Sequence, residues 1–100
     1  MVGCPLVNVR AKMDPDRVDE QLAVFRSEVA PTIMAMPGLV SIRQFVDRST
    51  GDGVVGTVWS DEESARESRA AAEERRQEAA ERGVQLSDPS FRTILFSHLV

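Results

Sequence analysis

Apolar residues recur along this chain at two alternating spacings, every second position and then every third or fourth. Leu6 to Met13 alternates, with Val7, Val9 and Ala11 on one side and Leu6, Asn8, Arg10 and Lys12 on the other, which predicts a strand. Asp14-Pro15-Asp16 then reads as a helix start, with proline at the first helical position. Val18, Leu22, Phe25, Val29 and Ile33 follow at helical spacing and predict one buried stripe. Pro31 interrupts that stripe and is expected to kink the helix or end its regular part near Ala30, with Pro37-Gly38 stopping it entirely. The next strand is Leu39 to Arg48, with Val40, Ile42, Gln44 and Val46 alternating against Ser41, Arg43, Phe45 and Asp47. A turn over Ser49–Gly53 joins it to a strand from Val54 to Trp59 as an antiparallel hairpin.

Ser60 reads as an N-cap, followed by acidic residues in the first turn of a helix running from Asp61 to Arg82 and ending at Gly83. Ala65, Ala72 and Ala79 recur every seven residues and predict a narrow seam against the sheet. The remaining surface carries charge pairs such as Glu62–Arg66 and Glu78–Arg82. A loop over Val84–Pro89 leads to a final strand, Phe91 to Leu99. The order β-α-β-β-α-β predicts one α+β, ferredoxin-like domain over residues 1–100, a four-stranded antiparallel sheet with two helices on one face.

The strands carry apolar residues at both parities. In the last one Phe91, Leu95 and Leu99 face one side, and Ile94, Phe96 and Val100 the other. A sheet covered by helices on one face only should be polar on its second face. The mixed pattern therefore predicts two sheets packed face to face in a symmetric homodimer, with a cavity or a core between them.

Composition narrows the function classes. The net charge of −4 argues against nucleic acid, which needs a basic surface. No stretch approaches the roughly 20 apolar residues of a membrane span, and the Met1-Val2-Gly3-Cys4-Pro5 start does not read as a signal peptide, so a cytoplasmic location is expected. A single cysteine, Cys4, allows neither an internal disulfide nor a cysteine metal site, and no carboxylate/histidine set has metal-ligand spacing.

Four segments, Leu6–Arg10, Val29-Ala30-Pro31-Thr32, Met36-Pro37-Gly38-Leu39 and Val58–Ala65, stand in an order that resembles the dimeric α/β-barrel proteins of the antibiotic biosynthesis monooxygenase type. The resemblance implies a homodimeric barrel and cofactor-independent oxygenation of an aromatic substrate, with no cofactor. A haem-degrading branch of that group is similar in carrying an asparagine on strand one and a tryptophan ending strand three, positions that Asn8 and Trp59 match. It also uses a histidine on the next helix, where this chain reads Arg66-Glu67-Ser68-Arg69-Ala70. Haem ligation in that manner is therefore the weaker reading.

The candidate catalytic residues are Asn8, Trp59 and His98. Asn8 could hold a substrate oxygen through its amide, a role that rests on the resemblance. Trp59 could stack on an aromatic ring, or else serve as a core or interface aromatic. His98, expected on the last strand, is the one group that titrates naturally near neutrality and is the candidate base. Arg10, Arg43 and Phe96 are candidate substrate contacts, with surface or dimer salt bridges as the alternative for the arginines. The expected site is a cavity lined by both Asn8 and Trp59 that takes a small aromatic molecule. The rival is a non-catalytic dimeric module whose interior its own side chains fill.

Overall fold

The computed structural model describes residues 2–98; the expectations for Met1, Leu99 and Val100 fall outside them. Strands β1 (Pro5–Lys12), β2 (Leu39–Val46), β3 (Asp52–Trp59), β4 (Gln85–Leu86) and β5 (Ser90–Thr93) form one antiparallel sheet. The strand order is β2-β3-β1-β4, and β5 pairs with β1 along the edge that β4 also uses. Because β3 inserts between β1 and β2, the sheet has the split βαβ topology of the ferredoxin-like class, α+β as the element order predicts.

The first helix differs from its sequence pattern. A 3₁₀ turn, Pro15–Arg17, leads into α1 (Val18–Val24), then a π-turn over Phe25–Val29, then α2 (Ala30–Met34). Asp14 starts it as expected, its carboxylate accepting from the Asp16 N–H. Pro31 does not end the helix. The π-turn shifts the pairing, with Ala30 N–H donating to Phe25 C=O, and Pro31 lands in the first turn of α2 where a backbone N–H is not needed. Helical structure therefore runs on to Met34, and the stop comes at Gly38. That glycine has φ +87°, and a Cβ there would collide with the Ser64 hydroxyl at the start of the second helix.

That helix, α3 (Glu62–Glu81), is capped by Asp61 and not by Ser60. The Asp61 carboxylate accepts from the Ser64 N–H at 2.8 Å, and Ser60 donates its hydroxyl to Asp61. The Ala65 seam holds, with Ala65 fully buried and Ala72 and Ala79 half-buried. Of the two expected charge pairs, Glu62–Arg66 forms at 3.5 Å, whereas Arg82 reaches across to Glu28 of the π-turn at 2.8 Å.

The final strand is the largest departure. In place of one strand from Phe91 to Leu99, two short strands flank Pro89, and strand pairing ends at Thr93. Pro89 has no N–H for a ladder, and Ser87 substitutes for it: its hydroxyl accepts from the Arg10 N–H and its own N–H donates to the Arg10 carbonyl. In β2 a bulge between Leu39 and Ser41 turns Leu39 toward the helices and leaves Val40 exposed, reversing the parity expected there.

Candidate functional site

Strand register sorts the candidate residues by face. Val7, Val9 and Ala11 of β1 share a side with Val55, Thr57 and Trp59 of β3 and with Ile42, Gln44 and Val46 of β2, and this side lies under the helices. Leu6, Asn8, Arg10, Val54, Gly56, Arg43 and Phe45 face the other way. Asn8 and Arg43 flank Gly56 in register, and Arg10 and Phe45 flank Val54. The structure thus brings Asn8, Arg10 and Arg43 together on the helix-free face, and it places Trp59 on the opposite face.

This corrects the expectation of one cavity lined by Asn8 and Trp59, because the sheet itself separates them. Trp59 is 0% exposed and packs with Val7, Ile33 and Ala65. Its indole N–H donates to the Thr57 hydroxyl at 2.9 Å, and that hydroxyl donates in turn to the Val7 carbonyl at 3.3 Å. An indole whose polar handle is satisfied within its own subunit is a core side chain. His98 and Phe96 lie beyond the last strand in an irregular, exposed stretch, Phe96 at 86% exposure. His98 therefore does not face the helix-covered layer.

Among the concavities of the described residues, two adjoin all three strands that carry the candidate residues. A trough of about 810 Å³ at one end of the sheet is edged by Arg10, Lys12, Phe45, Asp52, Val54 and Ser87. It is a wide, open surface. The second is a cavity of about 130 Å³ inside the helix–sheet layer. Its sheet wall is Val9, Ala11, Gln44 and Val55; its first-helix wall is Gln21, Val24, Phe25, Val29 and Ile33. Helix α3 closes it with Ala72, Arg75, Glu78, Ala79 and Arg82, and Met13, Val84 and Leu86 complete the end. An apolar lining with a few convergent polar groups is the usual composition of a small-molecule site.

The hollow follows from the sequence locally. The alanine seam of α3 sets the helix close to the sheet, but opposite Ala72 and Ala79 the strands offer only Val9, Ala11 and Val55, which do not fill the gap. Among the polar groups, Gln21 is buried and its amide donates to the Arg82 carbonyl at 3.2 Å, tying the first helix to the end of α3. Arg82 completes that strap through Glu28. Arg75 is half-buried, and burial pushes its guanidinium below the ordinary arginine value, with Glu74 and Glu78 acting in the opposite sense. Among the described residues no group of three or more histidine, cysteine or acidic side chains could hold a metal ion.

Sequence reasoning missed Gln21, Gln44, Arg75, Glu78 and Arg82. A signal was present: Ala72, Arg75, Ala79 and Arg82 recur at 3-4-3 spacing, so the seam carries arginines along its flank, and Gln44 stands at core parity between Ile42 and Val46.

No family model and no curated protein matches the sequence. Solved structures do match the fold. The ActVA-Orf6 monooxygenase of Streptomyces coelicolor, in complex with nanaomycin D, is similar at TM-score 0.72 and 17% identity, covering 97% of this chain and 92% of that one. A proposed monooxygenase of Shewanella loihica PV-4 is similar at TM-score 0.65 and 17% identity, covering 97% of this chain and 100% of that one. A proposed antibiotic biosynthesis monooxygenase of Bacteriodes thetaiotaomicron VPI-5482 is similar at TM-score 0.54 and 17% identity, covering 96% of this chain and 90% of that one. The fold of this chain is therefore the α+β, ferredoxin-like fold of antibiotic biosynthesis monooxygenase-type structures, as its strand-end and helix-end segments suggested.

Proposed function

We propose that this protein holds a small aromatic molecule in the cavity between its sheet and its helices, and that dioxygen oxidises the bound molecule there without metal or flavin. The observation that carries the reading is the apolar hollow at the centre of the layer, with Gln44, Arg75 and Glu78 on its walls. The neighbouring fold supports it, since one structural neighbour is a monooxygenase in complex with nanaomycin D.

For a phenol the chemistry balances without an added reductant. One oxygen atom of O₂ replaces a ring hydrogen and becomes the second carbonyl of a quinone. The other leaves as water with that hydrogen and the hydroxyl hydrogen, and the ring supplies all four electrons. The protein's part is to hold the ring away from water and to accept the phenolic proton, for which Glu78 is the carboxylate on the wall. Trp59 acts from behind: it shares a core cluster with Ile33, Val29 packs against that cluster, and both Ile33 and Val29 line the cavity. Haem fits poorly, because the cavity has the volume of about one aromatic ring and no histidine on its walls.

Oxygen uptake with a panel of single-ring phenols and quinols tests this, run beside Ala72→Leu, which fills the cavity. Uptake that survives the filled cavity rejects the site. Binding without uptake on any substrate rejects the oxidation and leaves a binding protein.

The same reading includes a homodimer through the helix-free face, where Leu6, Val54 and Phe45 give apolar area and Asn8, Arg10 and Arg43 lie among them. Phe45 is 59% exposed and Leu95 is 85% exposed, a combination that a facing subunit would cover. Sedimentation at micromolar concentration checks it, and a monomer mass overturns it. Among the described residues no helix is long and apolar enough to cross a membrane.

A further inference from the structure

We infer that the ligand of the helix–sheet cavity is a single-ring aromatic anion, its ring among Val9, Val55 and Ala72 and its negative oxygen on Arg75. The inference rests on the cavity being the ligand site and names what that site selects.

Size is the first argument. The cavity is about 130 Å³. An apolar cavity of about 150 Å³ is known to hold one benzene ring. Its walls also resist widening. The Glu28–Arg82 ion pair and the Gln21 bond to the Arg82 carbonyl join the first helix to α3 beside it, and close-packed layers do not stretch continuously. A fused tricyclic ligand would need those ties broken.

Charge is the second. The arginines of α3 differ in their partners: Arg66 pairs with Glu62, Arg69 with Glu73, Arg76 with Asp88 and Arg82 with Glu28. Arg75 makes no ion pair among the described residues, although it is half-buried and lines the cavity between Ala72 and Ala79. A guanidinium held there loses hydration, and burial disfavours its charge more than Glu74 and Glu78, neither of them in ion-pair contact with it, favour that charge. A ligand oxyanion repairs that deficit with the planar, two-point geometry that arginine offers and lysine lacks. A neutral ring fills the same space and leaves the deficit in place. Aryl carboxylates and ionised phenols share the required chemistry.

Isothermal titration at mildly alkaline pH distinguishes the choices, using benzoate, 4-nitrophenolate, benzyl alcohol and 2-anthroate. Benzoate or 4-nitrophenolate is expected to bind roughly tenfold more tightly than benzyl alcohol, the worth of one charge-assisted contact, and whichever binds identifies the oxyanion source. Arg75→Gln should bring the anions down to the level of benzyl alcohol while leaving benzyl alcohol unchanged, and Arg75→Lys should restore only part of the difference. 2-Anthroate should give no binding heat. Circular dichroism of each variant confirms that it folds, and Val55→Leu is a second cavity-filling variant beside Ala72→Leu.

Equal binding of 2-anthroate and benzoate overturns the size argument. Benzoate affinity unchanged in Arg75→Gln, or benzoate binding that survives both filled cavities, overturns the assignment to Arg75. If benzyl alcohol binds and is lost on filling while the anions bind no better, this inference fails and the cavity reading stands. If none of the single-ring probes binds, both fail together.

Discussion

The helix–sheet layer has two ends built from the same parts and filled differently. At one end Ala65 of α3 faces Trp59, and the indole closes the space among Val7, Ile33 and Ala65 with no exposure at all. At the other end Ala72 and Ala79 face Val9, Ala11 and Val55, and a cavity of about 130 Å³ remains beside Met13 and Val84. Alanine recurs along the seam of α3, so the side chains opposite it decide how far the space is filled. A filled core and a hollow thus stand at opposite ends of one layer.

The largest expected effect breaks the filled end. Trp59→Ala removes the largest fully buried side chain and should destabilise the fold by about 3–5 kcal/mol, read as a lower urea midpoint. A loss under about 1 kcal/mol would mean that the two ends do not differ in packing. Next comes the reverse operation. Ala72→Leu gives the hollow end the side chain it lacks and should raise stability by about 1 kcal/mol, with loss of ligand binding. Destabilisation there instead would show an end already packed.

The smallest effect concerns the cap that anchors α3 at the filled end. Bonds from the Ser64 N–H, then the Ser64 and Ser60 hydroxyls, hold the Asp61 carboxyl below its ordinary value. A depressed carboxyl contributes stability that is complete above the unfolded value of about 3.9 and is lost as pH falls through the lower folded value. Wild type should therefore lose more stability on acidification below about pH 4 than Asp61→Asn does, and parallel curves would refute the cap's part in it.

Much of the fold was legible because it is written in short-range patterns. The period-2 and period-3.6 stretches placed β1, the β2–β3 hairpin and α3, and proline, aspartate and glycine marked the joints. The departures occur where one residue has a non-local or alternative partner. Pro31 predicts a kink or an end to the regular helix near Ala30, and the interruption is a π-turn just before it, after which the helix resumes. Ser87 supplies a ladder partner that the local sequence does not announce, a short strand forms within the expected loop, and the expected last strand stops at Thr93. Asp61 takes the cap from Ser60 because its carboxylate reaches the Ser64 N–H.

The site was less legible than the fold. Asn8 and Trp59 stood out as unusual residues at strand positions, but rarity says nothing about which side of a sheet a residue shares with another. That depends on the register of β1 against β3, which pairs Leu6 with Val58 and Asn8 with Gly56 and so sets Asn8 and Trp59 on opposite faces. Arg75 and Gln44 were plain residues in the chain. They became candidates only when α3 and β2 met across one hollow.

By itself the sequence determined the element order, the alanine seam and the tryptophan that ends β3, since each depends on neighbours a few residues away. The tertiary structure decided which alanines have a partner and which face a void. That choice is a sum of side-chain volumes contributed by residues distant along the chain, and volume across a layer has no local pattern to read.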